Sequence, residues 1–175
     1  PVRRGTGAAL MEPERELSYF EAIFEAEQQE MDRDERVILI GEDIYLYSGS
    51  GLLQVDAKRL RSTPISENSF CGLAVGAAMT GLRPIVDLTI ASFAYLASDQ
   101  IINQAAKLHY MTGGRARIPV VFRASMWHNG SNAAQHSDRP YPMFMNAPRL
   151  RVVAPATPAD MKGLLKSAIR DEDPV

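Results

Sequence analysis

Short, dominantly apolar runs separated by helical patterns constrain this chain more than any other feature. Val37-Ile38-Leu39-Ile40-Gly41, Ile85-Val86-Asp87-Leu88-Thr89-Ile90, Ile118-Pro119-Val120-Val121-Phe122-Arg123 and Leu150-Arg151-Val152-Val153-Ala154 are five or six residues long. They show little of the apolar–polar alternation of a half-solvated strand, so they predict strands covered on both faces, the habit of parallel sheets. The intervals read as helices. Glu14 to Met31 carries apolar residues at Leu17, Phe20, Ile23, Phe24 and Met31. Ala94 to Met111 points Ala97, Ile101, Ala105 and Leu108 inward and is stopped by Gly113-Gly114. Thr157-Pro158-Ala159-Asp160 opens a last helix with an N-cap, a first-turn proline and an early acid. Strands alternating with helices predict an α/β domain: a mainly parallel twisted sheet with helices on both faces, in three layers.

With 175 residues, 46% of them hydrophobic, the chain can close one substantial core. A formal net charge of -2 provides no global basic field, so neither a nucleic-acid nor a membrane partner is expected. The single cysteine, Cys71, excludes an internal disulfide framework and fits a reducing, cytoplasmic setting. Ten of the 21 acidic residues lie between Glu12 and Glu35, which predicts a solvated face on the first helix. Residues 1–13 have no periodicity and read as a disordered leader or cloning remnant, leaving 14–175 as the domain. Asp173-Pro174-Val175 reads as a turn entering a strand, so a fragment of something longer is expected.

Candidate chemistry centres on Thr63-Pro64-Ile65-Ser66-Glu67-Asn68, where an extended run meets a helix of small and apolar residues, Phe70 to Met79. Ser66 or Asn68 is placed to cap that helix. Glu67 then has two readings: a helix-start carboxylate favoured by the dipole, or an acid in apolar surroundings that can carry a proton near neutral pH. Gly72, Gly76 and Thr80 recur every four residues, a face on which a second backbone can approach closely, from this chain or another. Glu42 follows the first strand, and the Tyr47-Ser48-Gly49-Ser50-Gly51 loop lacks the lysine and the spacing of a phosphate loop. Ala124 to Met145 is long and irregular, with Trp127, His128, Asn129, His136 and Tyr141. Strand ends and helix starts thereby gather Glu42, Glu67, Phe93 and the His136 loop, a setting for acid–base chemistry on a flat, partly apolar ligand.

From about Glu16 onward the chain resembles the β subunit of thiamine-diphosphate-dependent 2-oxoacid dehydrogenases, the E1 components of pyruvate, branched-chain 2-oxoacid and acetoin dehydrogenase complexes. The resemblance is carried by Val37 to Asp43, Thr63 to Glu67, Gly72 to Met79, Gly81-Leu82-Arg83-Pro84, Asp99 to Lys107, Ala134-Gln135-His136-Ser137 and Gly163-Leu164-Leu165-Lys166. It covers only the N-terminal pyrimidine-binding half of such a subunit; the C-terminal transketolase-like domain is absent from the match.

The resemblance implies that Glu67 exchanges a proton with the pyrimidine N1′ of thiamine diphosphate, with Phe93, Ile65 and Thr89 walling the ring. It implies that His136 stands at the active-site mouth and serves acyl transfer to a lipoyl group. Val120, Ala168, Asp171 and Asp173 fall at the family's monovalent-cation site, which takes potassium. The expected assembly is an α2β2 heterotetramer with an E1 α subunit and a second β subunit, feeding a lipoyl acyltransferase E2. The resemblance implies that the diphosphate and Mg²⁺ are held by a Gly-Asp-Gly…Asn motif on the α subunit, and no such motif occurs in this sequence. The location implied is cytoplasmic, or the mitochondrial matrix in a eukaryote. Another transketolase-type enzyme half, or a catalytically silent interaction domain of the same fold, are the rival readings. The Gly51–Arg61 linker is shorter than usual, and Ala124–Gly130 and Asp138-Arg139-Pro140-Tyr141 depart from the family pattern, so the acyl chain accepted stays open.

Overall fold

The computed structural model describes residues 15–126 and 132–175; the proposed leader and the Trp127/His128 loop lie outside the described residues. Four strands, β1 (Val37–Gly41), β2 (Leu60–Ser62), β3 (Arg83–Ile90) and β4 (Val121–Ser125), form one parallel sheet in the order β2-β1-β3-β4. In register, Leu39 of β1 lies opposite Leu60 of β2 and Ile85 of β3, and Val86 lies opposite Phe122. The main helices are α1 (Tyr19–Arg33), α2 (Ile44–Gly49), α3 (Glu67–Met79), α4 (Leu108–Met111), α5 (Tyr141–Phe144) and α6 (Pro158–Arg170).

Alternate strand residues face opposite layers, so the sheet has two cores. Ile40, Val86, Leu88 and Val120 pack with Phe70, Cys71, Ala74 and Ala78 of α3 and with Ile101 and Ala105. Val37, Leu39, Ile85 and Val121 pack with Ile23, Phe24 and Met31 of α1 and Leu165 and Ile169 of α6. The second layer is locked by a polar seam between its helices. Lys162 Nζ meets Glu25 at 2.7 Å, Lys166 Nζ meets Gln29 at 2.7 Å, and Arg170 Nε meets the buried Glu30 at 2.8 Å. Burial alone pushes the Glu30 carboxyl up, but Arg170, Arg33 and Lys166 outweigh it and hold it below its ordinary value. Ser18 and Glu21 close a capping box on α1, and Thr157 Oγ1 accepts the Asp160 amide at 3.1 Å to start α6 as the sequence predicts.

Several expectations are corrected. Leu150–Ala154 is not a strand: Val175 occupies the edge of β4, its N–H donating to Val120 O at 3.1 Å and its carbonyl accepting from Phe122 N at 2.8 Å. Arg151 N then reaches only Pro174 O, at 3.1 Å, and Val152 and Val153 are left exposed. The helix expected over Ala94–Met111 is broken into a 3₁₀ turn at Ala91–Tyr95, a π turn at Gln100–Ala105 and the short α4. Its inward positions hold nonetheless, since Ala97, Ile101 and Ala105 are buried; residue spacing does not distinguish these windings. The Gly49 region is partly helical, as α2, rather than a loop. On α1, Phe20 is exposed whereas Glu27 and Glu30 are buried, so the acidic face is not wholly solvated.

Strand order fixes where a ligand can enter. After β1 the chain moves outward to β2; after β3 it moves the other way, to β4. The switch point therefore lies between the carboxyl ends of β1 and β3, where open α/β sheets bind ligands. Gly41 ends β1 there because a β-carbon would stand 2.6 Å from the Asp87 carbonyl oxygen.

Candidate active site

Glu67 is the first residue of α3 and is only 5% exposed. Ser66 does not cap that helix: its hydroxyl donates to Pro64 O at 3.1 Å instead. The Glu67 carboxyl has no hydrogen bond or ion pair among the described residues, and its oxygens are not among the fully enclosed ones, so the carboxyl tip is what the crevice leaves open. Its neighbours register it. Burial and then the Glu67 charge push the Cys71 thiol, one turn along α3, up to about 12. The half-buried Glu42 is pushed up by burial and then by Glu67, Asp43 and Asp87, and its Oε2 is enclosed without a hydrogen bond.

The approach to Glu67 is pinned to the end of β1. Thr63 N donates to Gly41 O at 2.9 Å, and Ser62 Oγ donates to Glu42 O at 3.0 Å. Both carboxyls consequently stand at the switch point, as chain order alone anticipated for strand-end acids. Thr89 closes the other side from the last turn of β3. It has φ +58°, a left-handed conformation that is a genuine outlier for a β-branched residue, at an irregularity between Asp87 and Ile90. Ile65, by contrast, is 81% exposed on the loop before α3.

Phe93 sits in the 3₁₀ turn that follows β3, and His136 meets it edge to face, ring centroids 5.4 Å apart. Neighbouring residues tie the same two segments together. Ser92 Oγ donates to Gln135 O, and the Tyr95 hydroxyl bonds Asp138, whose charge adds to burial in pushing the phenol up. This Tyr95 bond gives the unusual Asp138 a structural role. Gly72, from the small-residue face of α3, abuts Gln100 within the chain, 3.0 Å from where a β-carbon would stand, while Gly76 faces open space.

The cation residues lie at the opposite, amino-terminal end of the strands, beside the start of β3 and the end of α6. Val120 O accepts from Val175 N and Ala168 O from Asp171 N, each at 3.1 Å. Asp171 is engaged by Arg151 through its carboxylate and by Arg83 through its carbonyl; Asp173 pairs with Arg149 at 2.5 Å. Among the described residues no group of three His, Cys, Asp or Glu side chains could hold a metal ion.

Sequence reading missed a buried cluster behind Thr89. Arg123 Nε stands 2.7 Å from Glu27 Oε1, and its Nη2 stands 2.9 Å from Asp87 Oδ2. The available signal was an acid at position 27 on an otherwise apolar helical stripe, and another inside an apolar strand.

The model of the pyrimidine-binding domain of transketolase matches residues 15–175. The chain belongs to the transketolase pyrimidine-binding domain family. Among curated relatives of this pyrimidine-binding domain, the pyruvate dehydrogenase E1 component subunit beta of Rickettsia felis is 46% identical over 166 residues, covering 91% of this chain and 51% of that protein. The β subunit of acetoin:2,6-dichlorophenolindophenol oxidoreductase from Cupriavidus necator is 47% identical, covering 92% of this chain and 52% of that one. The mitochondrial pyruvate dehydrogenase E1 β subunit of Bos taurus is 46% identical, with 89% and 45% covered. The chain thus spans about half the length of these relatives. A split-gene transketolase structure matches with TM-score 0.74 at 22% identity, covering 92% of this chain and 50% of that one, and Pichia stipitis transketolase with 0.72 at 15%, covering 93% and 25%. At those identities the structures bear on the fold of the pyrimidine-binding domain alone. No helix among the described residues is long and apolar enough to cross a membrane.

Proposed function

We propose that this chain is the pyrimidine-binding half of the β subunit of an E1 component, acting in thiamine-diphosphate-dependent oxidative decarboxylation of a small 2-oxoacid and acyl transfer to a lipoyl group. The observation that carries the reading is Glu67: a residue only 5% exposed, at the switch point of the sheet, whose carboxyl has no hydrogen bond or ion pair among the described residues and is open to a ligand. An aminopyrimidine ring nitrogen is the kind of partner such a group lacks. The residues present fit that group: an acid without a protein partner at Glu67, a half-buried aromatic at Phe93, and a backbone turn at Thr89 in a left-handed conformation.

In this reading Glu67 would hydrogen-bond the pyrimidine ring nitrogen and serve as the acid–base group there. Phe93, Thr89 and Ile65 orient the ring; Ile65, exposed here, serves when a partner surface covers it. When bound, thiamine diphosphate supplies the electron sink for the electrons left by departing carbon dioxide. His136, held against Phe93, assists acyl transfer at the mouth. The E1 α subunit carries the diphosphate and Mg²⁺ in an α2β2 assembly with a second β subunit, serving a lipoyl acyltransferase E2 in the cytoplasm, or in the matrix of a mitochondrion. Potassium at Val120, Ala168, Asp171 and Asp173 would share acids and carbonyls with Arg83, Arg149 and Arg151. Higher thermal stability in potassium chloride than in choline chloride is its expected mark, and equal stability refutes it.

The deciding experiment pairs the complete β subunit with its α subunit and follows exchange of the cofactor C2 proton by NMR. Glu67→Gln should slow exchange by roughly 10²-fold or more, the scale of a lost general acid. Unchanged exchange removes Glu67, and with it this assignment.

A further inference from the structure

The buried charges behind β3 have no part in the mechanism above, and their placement is expensive. Asp87 is 1% exposed and Glu27 is fully buried; the Arg123 side chain between them is 10% exposed. Two acids and one cation out of water are not favoured for stability alone, because desolvation of buried ions offsets much of their attraction. A hydrophobic trio at cross-strand positions 87 and 123 and on the facing helix α1 would hold the sheet equally well. The geometry offers a different reason for the charges.

Asp87 has two oxygens with separate tasks. Oδ1 accepts the Thr89 amide at 2.9 Å, and Oδ2 stands 2.9 Å from Arg123 Nη2. The first bond closes a turn over two residues onto the one β-branched residue among those described that has a positive φ angle near the site. A conformation of that kind costs about 1–3 kcal/mol and persists only where its surroundings over-determine it. The register between β3 and β4 slips between Asp87 and Ile90, so the turn also re-aims the chain that leads to Phe93. Arg123 stops the carboxylate from rotating away, and Glu27, from α1, stops the guanidinium from doing so.

We infer that Asp87, clamped by Arg123 and Glu27, is a positioning residue: through its bond to the Thr89 amide it holds the left-handed turn that aims Thr89 and the Phe93 segment into the cofactor crevice. The inference rests on the cofactor reading above, and its test separates the two.

The test is a double-substitution cycle on Asp87 and Thr89. Thr89→Gly relieves the strain, because glycine adopts positive φ without a tether. In the complete α/β assembly, calorimetric titration of thiamine diphosphate with Mg²⁺ should show Asp87→Ala weakening binding by about 10-fold or more. In the Thr89→Gly background the same substitution should cost less than about 3-fold, a non-additivity expected only of coupled residues. In the same assembly without cofactor, the Thr89 amide should lose hydrogen-exchange protection in Asp87→Ala, while amides at the middle of β3 keep theirs. Asp87→Asn retains an oxygen for that amide and should lie between the two, which serves if the alanine variant does not fold.

Equal losses in both Thr89 backgrounds, or retained protection of the Thr89 amide, overturn the inference. If the parent assembly binds no cofactor, the cofactor reading itself is overturned, and the amide-exchange result still decides whether Asp87 holds the turn.

Discussion

Glu27→Gln is the substitution whose effect can be worked furthest from the structure. Glu27 is fully buried, bonded to Arg123 at 2.7 Å, and its other oxygen, Oε2, has no hydrogen bond. Arg123 must also serve Asp87, so the cluster holds two acids against one cation. Burial, opposed by Arg123 and assisted by the Asp87 charge, pushes Glu27 from its ordinary 4.5 up to about 7. A carboxyl raised in the folded state binds its proton more tightly there than in the unfolded chain. Its stabilisation is therefore complete below about pH 4.5 and is lost as the pH rises through 7. At about 1.4 kcal/mol per pH unit of displacement, the loss amounts to roughly 3 kcal/mol. Glutamine keeps the shape and cannot ionise. Urea unfolding midpoints at pH 5, 6, 7 and 8 should show the parent losing ground to Glu27→Gln steadily, so that the variant is the more stable by about 1–3 kcal/mol at pH 8 and about equal at pH 5. A difference that stays constant across that range, or that grows in favour of the parent, refutes the account of the cluster.

Other outcomes follow from particular contacts. Gly41→Ala should destabilise by about 1–3 kcal/mol, because the new methyl meets the Asp87 carbonyl oxygen at 2.6 Å and neither strand can yield without disturbing the ladder; an unchanged thermal midpoint contradicts that. In the α/β assembly, His136→Ala should spare decarboxylation with an artificial electron acceptor more than reductive acylation of lipoamide, and equal losses refute a role in acyl transfer. Glu30→Ala removes the acid that Arg170, Arg33 and Lys166 share across the α1–α6 seam. Glu30 is held below its ordinary value, so its stabilisation is present near neutrality and is lost as the pH falls. The variant should unfold more readily at pH 7, with the gap narrowing toward pH 3; a gap that widens there contradicts the seam.

The sequence by itself determined the layer architecture. Val37–Gly41 and the apolar half of β3 have no solvated face, which leaves a parallel sheet with helices on both sides, and β1, β3 and β4 stand within a few residues of where the runs place them. It also placed Glu67 at a strand-to-helix junction, because Pro64 and the small residues after Asn68 mark that boundary locally. The phosphate-loop and strand-end arguments needed nothing beyond residue types in order.

Tertiary structure decided what depends on residues distant in sequence. Leu150–Ala154 has a strand's composition, yet a strand needs a partner, and the edge of β4 is taken by Val175. The winding of residues 91–111 is set by packing against α3, to which apolar spacing is blind. Glu27 on an apolar stripe and Asp87 in an apolar strand stand out in the sequence, but that they share one guanidinium, Arg123, is decided only by strand register and the α1 layer. The burial of Glu67 is likewise a property of the assembled crevice: how little of a side chain meets water is the sum of everything packed around it, and no local stretch of chain contains that sum.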